Sequence, residues 1–259
     1  TILHYTSNHL DKVNPHFAQV VRDHILRAAG DYPILTVSLE PLAFGRNILA
    51  SDESMGHLRC VGRSHLNIYR AILIGAMNCD TEFVGLVEDD ILYSEDQFKV
   101  HRPPPHKFGF NMNRWGINSW LRPARFGYRA RVVVNQLISP RHLLIDALTE
   151  RFEKFKDVPD SEVPIARWGD PGRLERGLGV TVREYETFAT PTPSVVFSHT
   201  EAFGFANLGV KKSVGLYPRN YLWPWGTAED VLGLWLEGLN TKKGQSVSAS
   251  ALSTIPKPT

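Results

Sequence analysis

One stretch decides the fold of this 259-residue chain, Phe83-Val84-Gly85-Leu86-Val87-Glu88-Asp89-Asp90. Its first five residues are apolar or small, which is typical of a strand buried on both faces of a sheet. Ile91-Leu92-Tyr93 restores apolar character directly after the acids. A solvated turn that merely ends a strand would normally contain Gly, Asn or Pro. We therefore interpret the three acids as a functional feature at the carboxyl end of a strand, where open α/β sheets bind ligands.

The elements before this strand alternate in type. Ile2–Thr6 and Pro33–Ser38 predict strands, and Pro15–Ala29 predicts a helix between them. Ser64 is placed to cap a second helix with apolar residues at helical spacing. These residues are Leu66, Tyr69, Ile72, Leu73 and Ala76. The resulting β-α-β-α-β order predicts parallel strands wrapped by helices.

The second half of the chain has a less regular pattern. Arg131–Ile138 predicts a strand, and Ser139-Pro140 predicts the start of a helix. Residues 157–179 contain several Pro and Gly residues and predict loops. Val180–Tyr185 and Ser194–Ser198 predict later strands.

Length and composition predict one domain over residues 1–240 and a flexible tail or linker stub over 241–259. Charged residues make up 22% and hydrophobic residues 42%, as in soluble globular proteins, and no apolar run approaches the ~20 residues of a membrane span. Cys60 and Cys79 fit no metal-site spacing and indicate reduced structural thiols. Because Thr1–Thr6 resembles a strand and not a secretion signal, we expect a cytoplasmic protein.

A family resemblance follows from these elements. The hallmark of the GT-A glycosyltransferases is an Asp-any-Asp or Glu-Asp-Asp triplet after a βαβαβ half, and here the triplet is Glu88-Asp89-Asp90. Leu3–Asn8 and Gly62–Arg70 look like the donor-binding elements of family-2-like members. The resemblance implies an α/β fold of GT-A type, a Rossmann-like nucleotide-binding mixed sheet flanked by helices.

The resemblance also implies a metal site for Mn²⁺ or Mg²⁺. It implies that Asp90 binds the ion, while Asp89 or Glu88 reaches the ribose or a metal-bound water. A divalent ion would neutralise the charge that develops on a nucleotide diphosphate leaving group. Such enzymes often add a late histidine ligand, for which His199 is the candidate, and imidazole suits Mn²⁺ better than Mg²⁺. The alternative for His199 is a hydrogen-bonded histidine at a strand end.

Donor binding is expected at two places. Arg63 and Ser64 begin a predicted helix, where free backbone N–H groups favour phosphate, although an ordinary N-cap beside a solvated arginine has the same sequence. Tyr5 and Thr6 are placed to stack on and hydrogen-bond the nucleotide base, or to pack at a strand end. Asn8 belongs to the same resembling element.

The catalytic base is the least determined role. An inverting transfer needs a base for the acceptor hydroxyl, whereas a retaining transfer needs none at that position. Asp170, between Trp168-Gly169 and Pro171-Gly172, is the candidate, because a desolvated carboxyl has a raised pKa. The alternative is an Asp that shapes a turn. Glu162 and Glu201 are reserve candidates.

A basic segment predicts the acceptor side. Between Asp96 and Asp146 there is no Asp or Glu, but there are nine Lys and Arg residues. The acceptor-binding candidates are Arg114, Trp115, Trp120 and Arg125. Cations interleaved with aromatic rings are typical of nucleic-acid surfaces, and also of a sugar-stacking cleft rimmed by solvated arginines. An acceptor in DNA, such as a hydroxymethylated base, would have to be flipped out of the helix.

These features predict a metal-dependent hexosyl- or pentosyltransferase that uses a nucleotide-sugar and a hydroxyl acceptor, which is a DNA base or another polyanion. The first alternative is a sugar-phosphate nucleotidyltransferase. Such enzymes usually carry a Gly-rich basic loop after the first strand, which Tyr5–His9 lacks. The second alternative is a non-catalytic nucleic-acid-binding module in which the acids bind a structural ion.

Overall fold

The computed structural model describes residues 1–129, 131–164, 168–199 and 215–243. Its strands are β1 (Ile2–Thr6), β2 (Ile34–Ser38), β3 (Arg46–Leu49), β4 (Phe83–Val87), β5 (Ile91–Leu92), β6 (Lys107–Asn111), β7 (Arg114–Asn118), β8 (Phe126–Tyr128), β9 (Leu137–Pro140), β10 (Glu184–Phe188), β11 (Ser194–Ser198), β12 (Leu216–Arg219), β13 (Tyr221–Leu222) and β14 (Gly226–Thr227). Its α-helices are α1 (His9–Val13), α2 (Pro15–Ala29), α3 (His65–Met77), α4 (Arg141–Lys154), α5 (Glu175–Leu178) and α6 (Ala228–Lys243). Two 3₁₀ turns that meet at Gly56 cover Glu53–Leu58, and one covers Val134–Gln136.

Within these ranges the larger sheet has seven strands in the order β10-β6-β9-β4-β1-β2-β3. Strands β4, β1, β2 and β3 run parallel, whereas β9 is antiparallel to both of its neighbours. A smaller sheet has the order β12-β8-β7-β11-β5. The predicted fold class, an α/β mixed sheet flanked by helices, is confirmed.

Alternation along β1 builds a core on each face of the larger sheet. Leu3 and Tyr5 point to one face, where they join residues of α3 and α4 in one apolar cluster. Ile2 points to the other face and joins residues of α2 and α6 in a second cluster. The central strand is therefore buried on both sides, which holds its carboxyl end in a fixed position.

Capping residues set the starts of the two long helices near the sheet. Asn14 accepts a hydrogen bond from Phe17 N at 3.1 Å at the start of α2, and Ser64 Oγ accepts one from Asn67 N at 3.1 Å at the start of α3. Gly30 ends α2 at φ 55°. The predicted helix over Pro15–Ala29 and the predicted cap at Ser64 are confirmed.

The predictions for the second half are wrong in detail. The 131–138 segment is not one strand, because a 3₁₀ turn occupies 134–136 and β9 begins at Leu137. The predicted strand at 180–185 lies later in the sequence, as β10. The last helix continues to Lys243, three residues into the predicted tail, and residues 244–259 lie outside the described ranges. In the basic segment, β6, β7 and β8 were not predicted.

Cys60 and Cys79 are both buried and unpaired, as expected for reduced structural thiols. No helix in the part of the chain that the structure describes has the length and apolar character needed to span a membrane.

His24 on α2 makes the stability of the fold dependent on pH. Its ring lies 5.1 Å from the ring of Trp225, and burial, together with the Arg27 charge, lowers its pKa to about 4, which Asp23 opposes. The unfolded chain takes up the proton near the ordinary pKa of ~6.5, so stability is present above that value and is lost as pH falls towards 4. We expect His24→Gln to remove about 2–3 kcal/mol of this acid-induced loss. Urea titrations at pH 7 and pH 4.5 would measure it, and an unchanged difference between the two pH values would contradict it.

Candidate functional site

A cavity of about 780 Å³ opens at the carboxyl ends of β1, β4 and β11. Its size is within the ~300–1,000 Å³ range of small-molecule sites, and its place is where open α/β sheets bind ligands. The structure brings nine of the candidate residues into its wall. They are Tyr5, Thr6, Arg63, Ser64, Glu88, Asp89, Asp90, Arg114 and His199.

Pairing between β1 and β4 separates the first two acids. Ile2, Leu3 and His4 lie opposite Gly85, Leu86 and Val87 in parallel register. Because side chains alternate between faces along a strand, Glu88 follows the face of Tyr5, and Asp89 follows the face of His4 and Thr6. The acids therefore meet different partners although they are adjacent in sequence.

Glu88 is held by two donors. Tyr5 Oη donates to Glu88 Oε1 at 2.6 Å, and Asn135 Nδ2 donates to Oε2 at 2.6 Å. The Glu88 backbone N–H donates to Tyr93 Oη at 2.9 Å. Burial raises the pKa of Glu88, although both side-chain hydrogen bonds oppose the rise. Glu88 is thus a fixed part of the cavity floor.

Asp89 also has a hydrogen-bond partner for each carboxylate oxygen, and its partners lie on the opposite face of the larger sheet from those of Glu88. Thr6 Oγ1 donates to Asp89 Oδ2 at 2.5 Å, and His4 Nε2 lies 2.8 Å from Oδ1. His4 is fully buried, and its Nδ1 lies 3.3 Å from Thr36 Oγ1. Both oxygens of Asp89 are therefore tied to β1, and the carboxylate has one orientation.

Asp90 differs from the other two acids because its buried Oδ1 has no hydrogen-bond partner. Its Oδ2 lies 3.8 Å from His199 Nε2. Burial raises the pKa of Asp90 well above its ordinary value, and repulsion from Glu88 and Asp89 adds to the rise. The third acid is therefore the carboxylate in this group with unused acceptor capacity.

His199 is brought to Asp90 by the backbone. Phe197 N donates to the Asp90 carbonyl at 2.8 Å, which ties the end of β11 to the acidic turn. The His199 ring packs 4.6 Å from the ring of Trp235, and its buried Nδ1 has no hydrogen-bond partner. Burial, followed by the Arg63 and His9 charges, lowers its pKa to about 4. His199 is therefore a neutral imidazole at physiological pH, the form that binds metals.

The Asp90–His199 pair has the donor chemistry of a divalent cation site. The 3.8 Å separation is too long for a hydrogen bond, but it is within the ~4 Å upper limit for two ligands that each lie ~2.0–2.2 Å from one ion. Among the described residues, no group of three or more His, Cys, Asp or Glu side chains is arranged to hold a metal. Mg²⁺ sites often use one or two carboxylates together with substrate phosphates, so two protein ligands are enough for a substrate-linked ion.

The start of α3 forms another part of the wall. Ser64 caps the helix through its hydroxyl, as the alternative interpretation expected, and it also lines the cavity beside Arg63. Apolar side chains extend the wall at this end. They are Leu39, Ala50, Ile68 and Ala71. Tyr5 is only 5% exposed and its hydroxyl donates to Glu88, which favours the strand-end alternative over stacking on a base.

Asn8, predicted to bind the donor, is not among the residues that line the cavity. The residue has a left-handed backbone at φ 56°. Its Oδ1 accepts hydrogen bonds from Leu39 N at 3.0 Å and Glu40 N at 2.9 Å. Asn8 therefore ties the loop after β1 to the loop after β2, next to the lining residues Ser7 and Leu39.

Asp170 also lies away from the cavity wall. Its Oδ1 accepts from Val134 N at 2.8 Å, and its Oδ2 pairs with Arg173 Nη1 at 2.9 Å. Both oxygens are thus used to join two loops, as the turn-shaping alternative expected. Among the reserve bases, Glu162 is exposed outside the cavity, and Glu201 lies outside the described residues.

The acceptor candidates are divided by the fold. Arg114 is buried in β7 and reaches the cavity. Trp115 is buried elsewhere, under the guanidinium of Arg219 at 5.0 Å. Trp120 and Arg125 are partly buried and do not line the cavity. The four residues therefore do not form one surface, because neighbouring residues of a strand point to opposite faces.

Sequence reasoning missed the residues that hold the acids. The role of His4 could have been predicted from the alternation of side chains along β1. Together with the β1–β4 register, this alternation places His4 on the same face as Asp89. No feature of the sequence indicated that Asn135 contacts Glu88, since Asn135 lies in a segment that was predicted to be a strand. Arg129 and Arg131 were recognised as cations of the basic segment, but not as lining residues of the cavity.

No protein-family model matches the sequence, and no curated protein matches it either. Three solved structures are distantly similar in fold. A nucleotidyl transferase from Methanothermobacter thermautotroptrophicus has 11% identity and a TM-score of 0.38, with 73% of this chain and 87% of that chain covered. The galactosyltransferase LgtC with donor and acceptor sugar analogues has 12% identity and a TM-score of 0.33, with 61% of this chain and 66% of that chain covered. An active-site mutant of LgtC has 11% identity and a TM-score of 0.37, covering 81% and 95%.

Proposed function

We propose that this chain is a metal-dependent glycosyltransferase that moves a sugar from a nucleotide-sugar to a hydroxyl acceptor. The observation that carries the proposal is the pair formed by Asp90 and His199. The carboxylate of Asp90, whose Oδ1 has no hydrogen-bond partner and whose Oδ2 lies 3.8 Å from His199 Nε2, stands after a central strand in the wall of a cavity of about 780 Å³. Buried polar atoms without partners are uncommon in folded proteins, and a bound ion is one of the explanations for them.

Asp90 and His199 would hold the cation, and the donor phosphates would supply further ligands. Bound there, Mn²⁺ or Mg²⁺ would neutralise the charge on the departing nucleoside diphosphate. Imidazole and carboxylate together favour Mn²⁺. Glu88 and Asp89 serve this role indirectly, since their hydrogen bonds to β1 fix the turn from which Asp90 projects.

The nucleoside end of the donor fits the side of the cavity formed by α3. Leu39, Ile68 and Ala71 provide apolar contact for a base. Arg63 and the first N–H groups of α3 suit a phosphate, because the N-terminus of a helix carries a partial positive charge. The donor phosphates would then lie between this helix start and Asp90.

A thermal-shift experiment tests the proposal. The chain would be incubated with UDP, GDP, CDP, ADP and dTDP, each with and without Mn²⁺. We expect one nucleotide to raise Tm by about 5–10 °C at 100 times its Kd, and only when Mn²⁺ is present. The His199→Gln variant should lose most of the shift, and Arg27→Gln, an exposed residue of α2, should retain it.

Product analysis separates the alternatives. A glycosyltransferase releases nucleoside diphosphate from a nucleotide-sugar. A nucleotidyltransferase instead releases pyrophosphate from a nucleoside triphosphate when the nucleotidyl group passes to a sugar phosphate. Absence of any nucleotide-dependent shift, or a shift that is the same without Mn²⁺, would refute the metal-dependent mechanism.

A further inference from the structure

Three arginines meet in the cavity wall on the side of the smaller sheet. Arg114 belongs to β7, while Arg129 and Arg131 follow β8. Arg114 is 8% exposed, and its buried Nε has no hydrogen-bond partner. Burial, followed by the charges of Arg129 and Arg131, lowers its pKa to about 10, and the charges of Glu88 and Asp170 oppose the shift. The three guanidinium groups are therefore close enough to repel one another.

The backbone of β7 makes room for one of these groups. A Cβ atom on Gly116 would lie 2.2 Å from Arg129 Nε, so only glycine leaves space for the guanidinium at its present place. Arg129 Nη2 donates to Asn118 Oδ1 at 3.0 Å, which fixes the orientation of the group. The position of Arg129 is thus built into the strand and does not arise from a freely moving surface side chain.

The nearby acids act on Arg114 through their charges but do not contact the arginine cluster as ion-pair partners. Glu88 is held by Tyr5 and Asn135, and Asp170 is paired with Arg173. In the described ranges, none of the ion pairs involves Arg114, Arg129 or Arg131. Clustered and partly buried positive charge without an ion-pair partner is costly, and an anionic ligand reduces that cost.

We infer that Arg114, Arg129 and Arg131 bind a phosphate or carboxylate group carried by the acceptor. The inference rests on the proposed function, in which Arg63 and α3 hold the donor phosphates on a different part of the wall. Arginine suits this task because its planar fork makes paired hydrogen bonds to phosphate and carboxylate oxygens. A cavity of about 780 Å³ favours a compact anionic group over a continuous polyanionic strand.

Calorimetric titration with inorganic phosphate tests the inference. Phosphate would be added to the protein alone and to the protein saturated with Mg²⁺ and its nucleoside diphosphate. We expect one phosphate per chain in both cases, and a roughly 10- to 100-fold weaker Kd in Arg129→Gln and in Arg131→Gln, since each loses a charge-assisted contact. Arg27→Gln removes an equal charge from the exposed face of α2 and should leave the Kd within about two-fold.

Gly116→Ala tests the position of Arg129 separately from its charge, because the variant keeps every charged residue. The nearest atoms to the added methyl all belong to the Arg129 side chain, so we expect the guanidinium to move and the fold to be retained, while phosphate affinity falls by about 10-fold. Tm and circular dichroism would verify the folded state of each variant.

Several results would overturn the inference. Equal phosphate affinity in the wild type, Arg129→Gln and Gly116→Ala would do so. Loss of phosphate binding in the nucleotide-saturated protein would assign the cluster to the donor diphosphate and leave the proposed function intact. Binding of duplex DNA that depends on Arg129, without phosphate binding, would assign it to nucleic acid. If the wild type binds no nucleotide, the proposed function fails, and the titration of the protein alone still decides whether the cluster is an anion site.

Discussion

Asp90→Asn is expected to lower the rate of sugar transfer by about 10²- to 10⁴-fold and, at the same time, to stabilise the metal-free fold. A bound cation supplies several kcal/mol of charge stabilisation in the transition state, and each ~1.4 kcal/mol corresponds to a factor of ten in rate. Asn has nearly the same shape as Asp but lacks the charge that holds a divalent ion. The loss of rate should therefore appear as a loss of Mn²⁺ dependence.

The gain in stability has a separate cause. Asp90 Oδ1 is buried without a partner, and Glu88 and Asp89 repel its charge. A buried acceptor without a hydrogen bond costs about 1–3 kcal/mol, and removing the charge relieves part of this cost. We expect a gain of about 1–2 kcal/mol, or several degrees in Tm, in metal-free buffer.

The two effects can be measured on the same samples. Metal-free Tm and donor turnover over a series of Mn²⁺ concentrations would be compared with those of Asp31→Asn, an exposed position that should change neither. A destabilised Asp90→Asn protein would mean that the carboxylate has a structural partner. Full activity in Asp90→Asn would remove the metal mechanism.

The location of the site could be predicted from sequence because it depends on local pattern. A run of five apolar or small residues can be recognised as a buried strand without knowledge of the fold, and the carboxyl end of such a strand faces the ligand crevice. Glu88, Asp89 and Asp90 directly follow that run. Their placement in the cavity wall follows from the strand alone.

The hydrogen-bond partners that distinguish the three acids could not be predicted in this way. It depends on the β1–β4 register, which puts Tyr5 beside Glu88 and Thr6 beside Asp89. It also depends on Asn135, which is 47 residues from Glu88 in sequence. Sequence spacing carries no information about such long-range hydrogen bonds, so the residues that hold the acids became visible only in the structure.

The basic segment was misinterpreted for a related reason. Its cations suggested one exposed surface, but three short strands pass through the segment and send neighbouring side chains to opposite faces. Arg114 therefore reaches the cavity while Trp115 does not. Short strands with few apolar residues lack the long alternation on which strand prediction relies.

Arg151→Met is expected to destabilise the fold by about 3–5 kcal/mol, since it leaves the buried carboxylate of Glu175 without its charged partner. Arg151 is 0% exposed and lies 3.0 Å from Glu175 Oε1. It also donates to the carbonyls of Trp168 and Gly169, each at 2.8 Å. A single side chain on α4 thus organises the loop that carries Asp170.

A double-mutant cycle with Glu175→Gln would test this expectation by urea denaturation. Coupling between the two residues should be about 1–3 kcal/mol, and the exposed Glu153→Gln on α4 should change stability by less than about 0.5 kcal/mol. Additive effects of Arg151→Met and Glu175→Gln would contradict a direct buried pair.

Arg151→Met should also affect the cavity. Arg151 holds the loop of Asp170, and Asp170 accepts a hydrogen bond from Val134 N. The next residue, Asn135, donates to Glu88, so the variant should weaken that contact. A fall in donor turnover under conditions where Arg151→Met is still folded would connect this distant pair to the cavity.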